Sequence, residues 1–107
     1  LNLIERDALK AKIDAGEIFK LVMVLGAWAY RAKHIPGSLN IDDPTKILDQ
    51  LDPSEEIIVY CSDFKCPASK YVYKLLTESG YQNVTRYAGG ISDWEEHGLP
   101  MEGEWAE

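Results

Sequence analysis

Ile57-Ile58-Val59-Tyr60-Cys61-Ser62-Asp63-Phe64-Lys65-Cys66-Pro67 is the stretch on which the fold turns. Its first four residues are apolar throughout and mostly β-branched, the pattern of a strand covered on both faces. Pro67 suits the first turn of a helix, since its missing N–H would be unpaired there anyway. That helix is expected to run to Ser79, with Val72, Leu75 and Leu76 facing inward and Gly80 ending it. Strand, loop and helix therefore follow one another within a few residues.

The same alternation extends outward. Leu21–Leu25 is a second continuous apolar run and Val84–Tyr87 a third strand, with a brief extended piece at Leu39-Asn40-Ile41 after the turn Pro36-Gly37. Helical spacing marks Asp7 to Ala15, stopped by Gly16, and Asp43 to Leu51, broken by Asp52-Pro53. Gly89-Gly90 leads into a last short helix around Trp94. Strands alternating with helices imply a parallel sheet covered on both faces. Ligands of such sheets bind beyond the carboxyl ends of the strands.

Composition narrows the function classes without choosing among them. The chain has 107 residues, 46% hydrophobic and 27% charged, which suits one domain over 1–107 with a core of about 3–102 and an acidic tail at 103–107. Eleven Lys+Arg against eighteen Asp+Glu give a formal charge of −7. An acidic domain without a basic stripe is a poor nucleic-acid binder, because phosphate neutralisation supplies most of that affinity. The longest apolar run, Leu21–Leu25, is far too short to cross a membrane, so no membrane role is expected. No signal-peptide pattern opens the chain, which starts at Leu1 rather than Met, and a cytoplasmic setting is expected. Two cysteines and two distant histidines do not match the common zinc spacings, so no metal is expected.

Cys61 directly follows the clearest strand and opens a loop into a helix N-terminus. The helix dipole and unpaired backbone N–H groups favour a thiolate there, and the thiolate is the reactive form. The same N–H groups would hold a sulfane sulfur or an oxyanion. A small buried structural cysteine fits this position equally well.

Several further blocks shift that balance. Tyr60-Cys61, Leu75-Leu76-Thr77-Glu78-Ser79-Gly80-Tyr81, Asn83-Val84, Gly89-Gly90-Ile91-Ser92-Asp93-Trp94 and Gly98-Leu99-Pro100 stand in order, preceded by His34-Ile35-Pro36-Gly37-Ser38-Leu39-Asn40-Ile41. Together they resemble a rhodanese-like domain across nearly the whole chain. The resemblance implies a three-layer α/β/α fold around a central, mainly parallel sheet of about five strands. It also implies a single-domain sulfurtransferase or persulfide carrier. Carried onto this sequence, Cys61 is the nucleophile, and Ser62, Asp63, Phe64, Lys65 and Cys66 form the substrate-binding loop. The implied partners are a small-molecule or protein-bound sulfur donor and a thiol or cyanide acceptor, with no cofactor.

Three departures from the family pattern bear on the substrate. Family loops commonly read C-x-x-G-x-R-S; here Phe64 stands at the Gly position and no Arg occurs in residues 61–80. The loop is also about two residues longer, which places Ala68 at the Arg position. An insertion inside the helix would rotate its apolar face by roughly 200°, so the extra residues belong to the loop. Related arsenate reductases and cell-cycle phosphatases have longer loops, but the phosphatases clamp phosphate with an Arg that is missing here. Lys65 and Lys70 offer only point charges. Finally, Met23-Val24-Leu25 replaces a common Asp-Val-Arg. With the missing Arg, this favours a neutral or protein-bound sulfur donor over thiosulfate.

Cys66 has two readings, a resolving thiol that forms a disulfide with Cys61 or a small apolar residue at the helix entry. Hence a thiol-based reductase or redox sensor stands beside the sulfurtransferase reading. A catalytically silent interaction module stands as the third. His34 is read as part of a turn and His97 as solvated. Trp28, Tyr30 and Trp94 are read as packing residues. Glu95-Glu96 and Glu102–Glu107 are read as acidic surface, and Trp105 as either a partner contact or a staple for the C-terminus.

Overall fold

A computed structural model describes residues 2–106; Leu1 and Glu107, at the ends of the expected domain span, lie outside the described residues. Four parallel strands, β1 (Lys20–Met23), β2 (Leu39–Asn40), β3 (Ile57–Tyr60) and β4 (Val84–Tyr87), form one sheet in the order β2-β1-β3-β4. The expected sheet of about five strands is thus one strand smaller. The physical reason lies at the N-terminus. Leu3 pairs in parallel with Arg86, through Ile4 N–H to the Arg86 carbonyl (3.0 Å) and Arg86 N–H to the Asn2 carbonyl (2.9 Å). Helix α1 (Arg6–Asp14) then begins, leaving room for a single bridge on the open edge of β4.

The apolar runs are continuous because both sheet faces are covered. Side chains alternate along β3. Ile57, Val59 and Cys61 pack with Val22, Val24 and Val84 against α3 (Ile47–Gln50) and α4 (Pro67–Glu78), through Ile47, Val72 and Leu76. Ile58 and Tyr60 pack with Leu21, Met23 and Tyr87 against Leu9 of α1 and Trp94 of α5 (Gly90–Glu96). Three layers follow directly from that alternation.

Two local readings change. The helix expected over Asp43 to Leu51 is a 3-10 turn at Pro44–Lys46 followed by the one-turn α3. Asp43 accepts from both Thr45 N–H (2.9 Å) and Thr45 Oγ1 (2.7 Å), which holds the chain in the tighter turn before Ile47. Helix α2 (Ala27–Ala32) has no counterpart in the sequence reading, because none of its residues is buried and it shows no apolar stripe. It is held by the C-terminal segment instead. Glu104 N–H and Trp105 N–H donate to the carbonyls of Arg31 (2.8 Å) and Ala32 (2.9 Å), which close the last turn of α2. Trp105 rests edge-on against Trp28, with ring centroids 5.8 Å apart, so its backbone staples the tail while its side chain stays exposed.

Tyr60 ties the turn around Pro36 to the central strand. Its buried hydroxyl accepts from Ile35 N–H (3.1 Å) and meets Ser38 Oγ at 2.8 Å, while Ser38 Oγ donates to the Ile35 carbonyl (2.7 Å). His34 belongs to the same turn, stacked on Tyr30 at 3.8 Å. Burial pushes the Tyr60 phenol up to about 12. The folded state therefore favours the neutral phenol. That contribution is complete below the unfolded value of about 10 and lost as pH rises toward about 12, a gap worth roughly 2–3 kcal/mol. Urea unfolding across pH 9 to 12 should show a steeper loss of stability in the wild type than in Tyr60→Phe. Parallel slopes would contradict the assignment.

Candidate functional site

Cys61 leaves the carboxyl end of β3 and is 1% exposed, on the face covered by α3 and α4. The loop that follows is folded by Asp63. Its Oδ1 accepts from Lys65 N–H (2.9 Å), and its carbonyl accepts from Cys66 N–H (3.2 Å). Such an Asx turn reverses the chain within four residues. It brings Cys66 back over Cys61, and the two are joined as a disulfide with their Cα atoms 6.3 Å apart, inside the usual bridging range. Cys66 is also the N-cap of α4 and makes no side-chain capping bond, with Pro67 in the first turn.

This turn divides the loop amides into two groups. Those of Lys65 and Cys66 are engaged with Asp63, whereas those of Ser62, Asp63 and Phe64 have no acceptor among the described residues. Phe64 and Lys65 project outward, the Lys65 ammonium lying 5.9 Å from the centre of the Phe64 ring, and Lys70 is exposed on α4.

Helix α5 fixes the start of the loop from the opposite side. Ile91 N–H donates to the Cys61 carbonyl (3.1 Å) and Ser92 N–H to the Ser62 carbonyl (2.8 Å). Gly90 makes this approach possible, since a Cβ there would lie 2.5 Å from the Cys61 carbonyl oxygen.

Arg86 is a candidate site residue that the sequence reading missed. It shares a strand face with Val84, two residues before it on β4, and so points toward α4, where it is 3% exposed. Its Nε donates to Ser69 Oγ in the first turn of α4 (2.8 Å), and its Nη2 donates to the Phe64 carbonyl (3.3 Å). Burial pushes its pKa down, with no carboxylate acting on it. A buried guanidinium from a neighbouring strand thus lies beneath the loop that has no Arg of its own. The available signal was a charged residue at an inward position of an otherwise apolar strand.

Two grooves flank the loop. One, of about 280 Å³, is largely apolar and is lined by Met23, Leu25, Trp28, Ser62, Ile91 and Trp105, among others. The Met23-Val24-Leu25 departure thus contributes two of its walls. The other, of about 390 Å³, lies between the loop and α5 and carries Asp63, Lys65, Asp93 and Glu96. With Asp93 paired to the Arg6 guanidinium (2.9 Å), Asp63 and Glu96 face the single Lys65 ammonium, and this slight negative excess does not favour a dianion.

A doubly covered parallel sheet whose inner strand delivers a cysteine into a helix-capping loop defines an α/β domain with its chemistry at the strand ends. The chain belongs to the rhodanese-like domain family, which it matches over residues 5–97. It is 31% identical over 103 residues to an HTH-type transcriptional regulator of Mycobacterium tuberculosis, covering 94% of this chain and 45% of that protein. It is 30% identical over 84 residues to the thiosulfate:glutathione sulfurtransferase of Saccharomyces cerevisiae, covering 64% of this chain and 59% of the enzyme. The chain thus spans about half the length of the curated relatives it matches. The solution structure of the rhodanese-like domain from the Anabaena sp. Alr3790 protein superposes with a TM-score of 0.84 at 24% identity, over 98% of this chain and 81% of that one. Thiosulfate sulfurtransferases are among these distant relatives. No helix among the described residues is long and apolar enough to cross a membrane.

Proposed function

We propose that the reduced protein accepts sulfane sulfur on Cys61 as a persulfide and passes it to a thiol or cyanide acceptor. The observation that carries this reading is the position of Cys61, at the carboxyl end of an inner parallel strand and at the mouth of the loop into α4, in a rhodanese-like chain. In the first step the Cys61 thiolate attacks the donor's sulfane sulfur, and the donor's remaining fragment leaves with the bonding electron pair. In the second step the acceptor attacks the outer sulfur and Cys61 leaves as the thiolate.

Residues 62–66 bind the transferred sulfur, and the unengaged amides of Ser62, Asp63 and Phe64 are the donors suited to the negative charge in both steps. The donor is neutral or protein-borne, because the approach beside α5 is acidic and the groove on the other side is apolar. The disulfide must be opened before Cys61 can act, so loading requires a reducing thiol.

Mass spectrometry of the reduced Cys66→Ser variant after incubation with cysteamine persulfide, whose ammonium offsets its persulfide anion, tests the reading. One added sulfur, about +32 Da, is expected on Cys61, and no adduct is expected in the Cys61→Ala, Cys66→Ser double variant. An adduct that survives loss of Cys61 would refute it.

A further inference from the structure

We propose that Cys66 resolves the Cys61 persulfide, so that the domain reduces sulfane sulfur to sulfide through an internal dithiol. This rests on the reading of Cys61 as the sulfur-accepting thiol. The observation behind it is separate from the position of Cys61: the loop is built to return a second cysteine to the first.

The turn at Asp63 uses the amides of both Lys65 and Cys66, on its Oδ1 and its carbonyl, and it closes the 61–66 segment just ahead of α4. The Cα separation of 6.3 Å lets the two sulfurs bond where they stand. Arg86 holds the same segment from below through the Phe64 carbonyl. The two cysteines also differ in access, since Cys61 is buried while Cys66 is partly exposed. An inner thiol that receives sulfur and an outer one that meets solvent have the arrangement of a nucleophile and its resolving partner. A thiol held this close competes for the persulfide at an effective concentration that external thiols reach only in the millimolar range or above.

The chemistry balances within the chain. The Cys66 thiolate attacks the inner sulfur, Cys61 Sγ; the Sγ–Sγ bond forms and the bond from Cys61 Sγ to the outer sulfur breaks. The outer sulfur leaves with the electron pair as hydrosulfide and takes up the Cys66 proton as hydrogen sulfide. The sulfane sulfur has gained two electrons, and the two cysteine sulfurs together have lost two. A dithiol reductant, small or protein-borne, then attacks the more accessible Cys66 Sγ, expels the Cys61 thiolate and closes its own disulfide. The disulfide of the structure is the oxidised member of this cycle.

The test is a single turnover. Wild type and Cys66→Ser are reduced, freed of reductant without oxygen, and mixed with one equivalent of cysteamine persulfide, a donor without net charge; sulfide and intact mass are then followed. Serine is a preferred N-cap, so the variant keeps a sound start to α4. Wild type is expected to release one sulfide per chain and end about 2 Da lighter than the reduced form, with both thiols lost. Cys66→Ser is expected to hold the added sulfur and release sulfide at least about tenfold more slowly. A wild type that keeps its persulfide and releases sulfide no faster than the variant overturns the proposal while leaving the Cys61 reading intact. A Cys66→Ser protein that never gains sulfur overturns both.

Discussion

Gly90→Ala is expected to lower the unfolding free energy by roughly 3 kcal/mol or more, and to release the start of the active loop. Gly90 has φ +65, where an L side chain costs roughly 1–2 kcal/mol. The larger effect is contact with fixed backbone. The new Cβ would meet the Cys61 carbonyl oxygen at 2.5 Å and the Ser62 carbonyl carbon and oxygen at 2.8 Å. None of these atoms belongs to a side chain that can turn away, so α5 and the loop must separate. The bonds from Ile91 N–H to Cys61 and from Ser92 N–H to Ser62 are then stretched, each worth about 1 kcal/mol. Denaturant unfolding measures the first effect. Amide exchange at Ile91 and Ser92 measures the second and should rise more than at amides of β1. A variant within about 1 kcal/mol of wild type would show that the approach tolerates a side chain.

Arg86→Met should separate stability from loop order. The guanidinium makes two hydrogen bonds from a charged donor, each worth roughly 1.5–3 kcal/mol, yet it is buried without a carboxylate. Removing a buried charge relieves a desolvation cost of several kcal/mol. These terms oppose each other, so the net change in unfolding free energy should stay within about 2 kcal/mol. The loop has no such compensation, because Phe64 and Ser69 lose their shared anchor. Sulfur loading of reduced Cys61 is expected to slow about tenfold, the equivalent of ~1.4 kcal/mol. Arg86→Lys should not restore the loading rate, because an ammonium cannot bridge Ser69 and Phe64 as a fork does. Equal rates in all three proteins would leave Arg86 with packing alone.

Both substitutions act on residues that the linear sequence does not connect to Cys61. Ile57–Tyr60 was legible as a doubly covered strand because four apolar residues in a row admit no solvent face. Pro67 marked the helix entry, and the strand Val84–Tyr87 was readable to the residue. Helix α2 was not legible, since none of its residues is fully buried and its last turn is closed by the tail segment near Trp105. The fifth strand implied by family likeness was cut to a single bridge by the early start of α1, a matter of a few residues that no propensity reports.

The chain alone therefore determined the alternating order of strands and helices, the covered parallel sheet and the placing of both cysteines on one loop. Each of these is carried by local pattern: apolar runs, turn residues and the helix start at Pro67. Only the tertiary structure decided that Cys66 returns to Cys61, that Gly90 lets α5 hold the loop, and that Arg86 lies beneath it. These depend on separations in space between residues 5 to 29 positions apart from Cys61 or its loop neighbours. The missing loop Arg shows the difference most clearly. By sequence the loop has no guanidinium, whereas strand pairing supplies one from β4, because Arg86 sits in register with Val59 on the face that α4 covers.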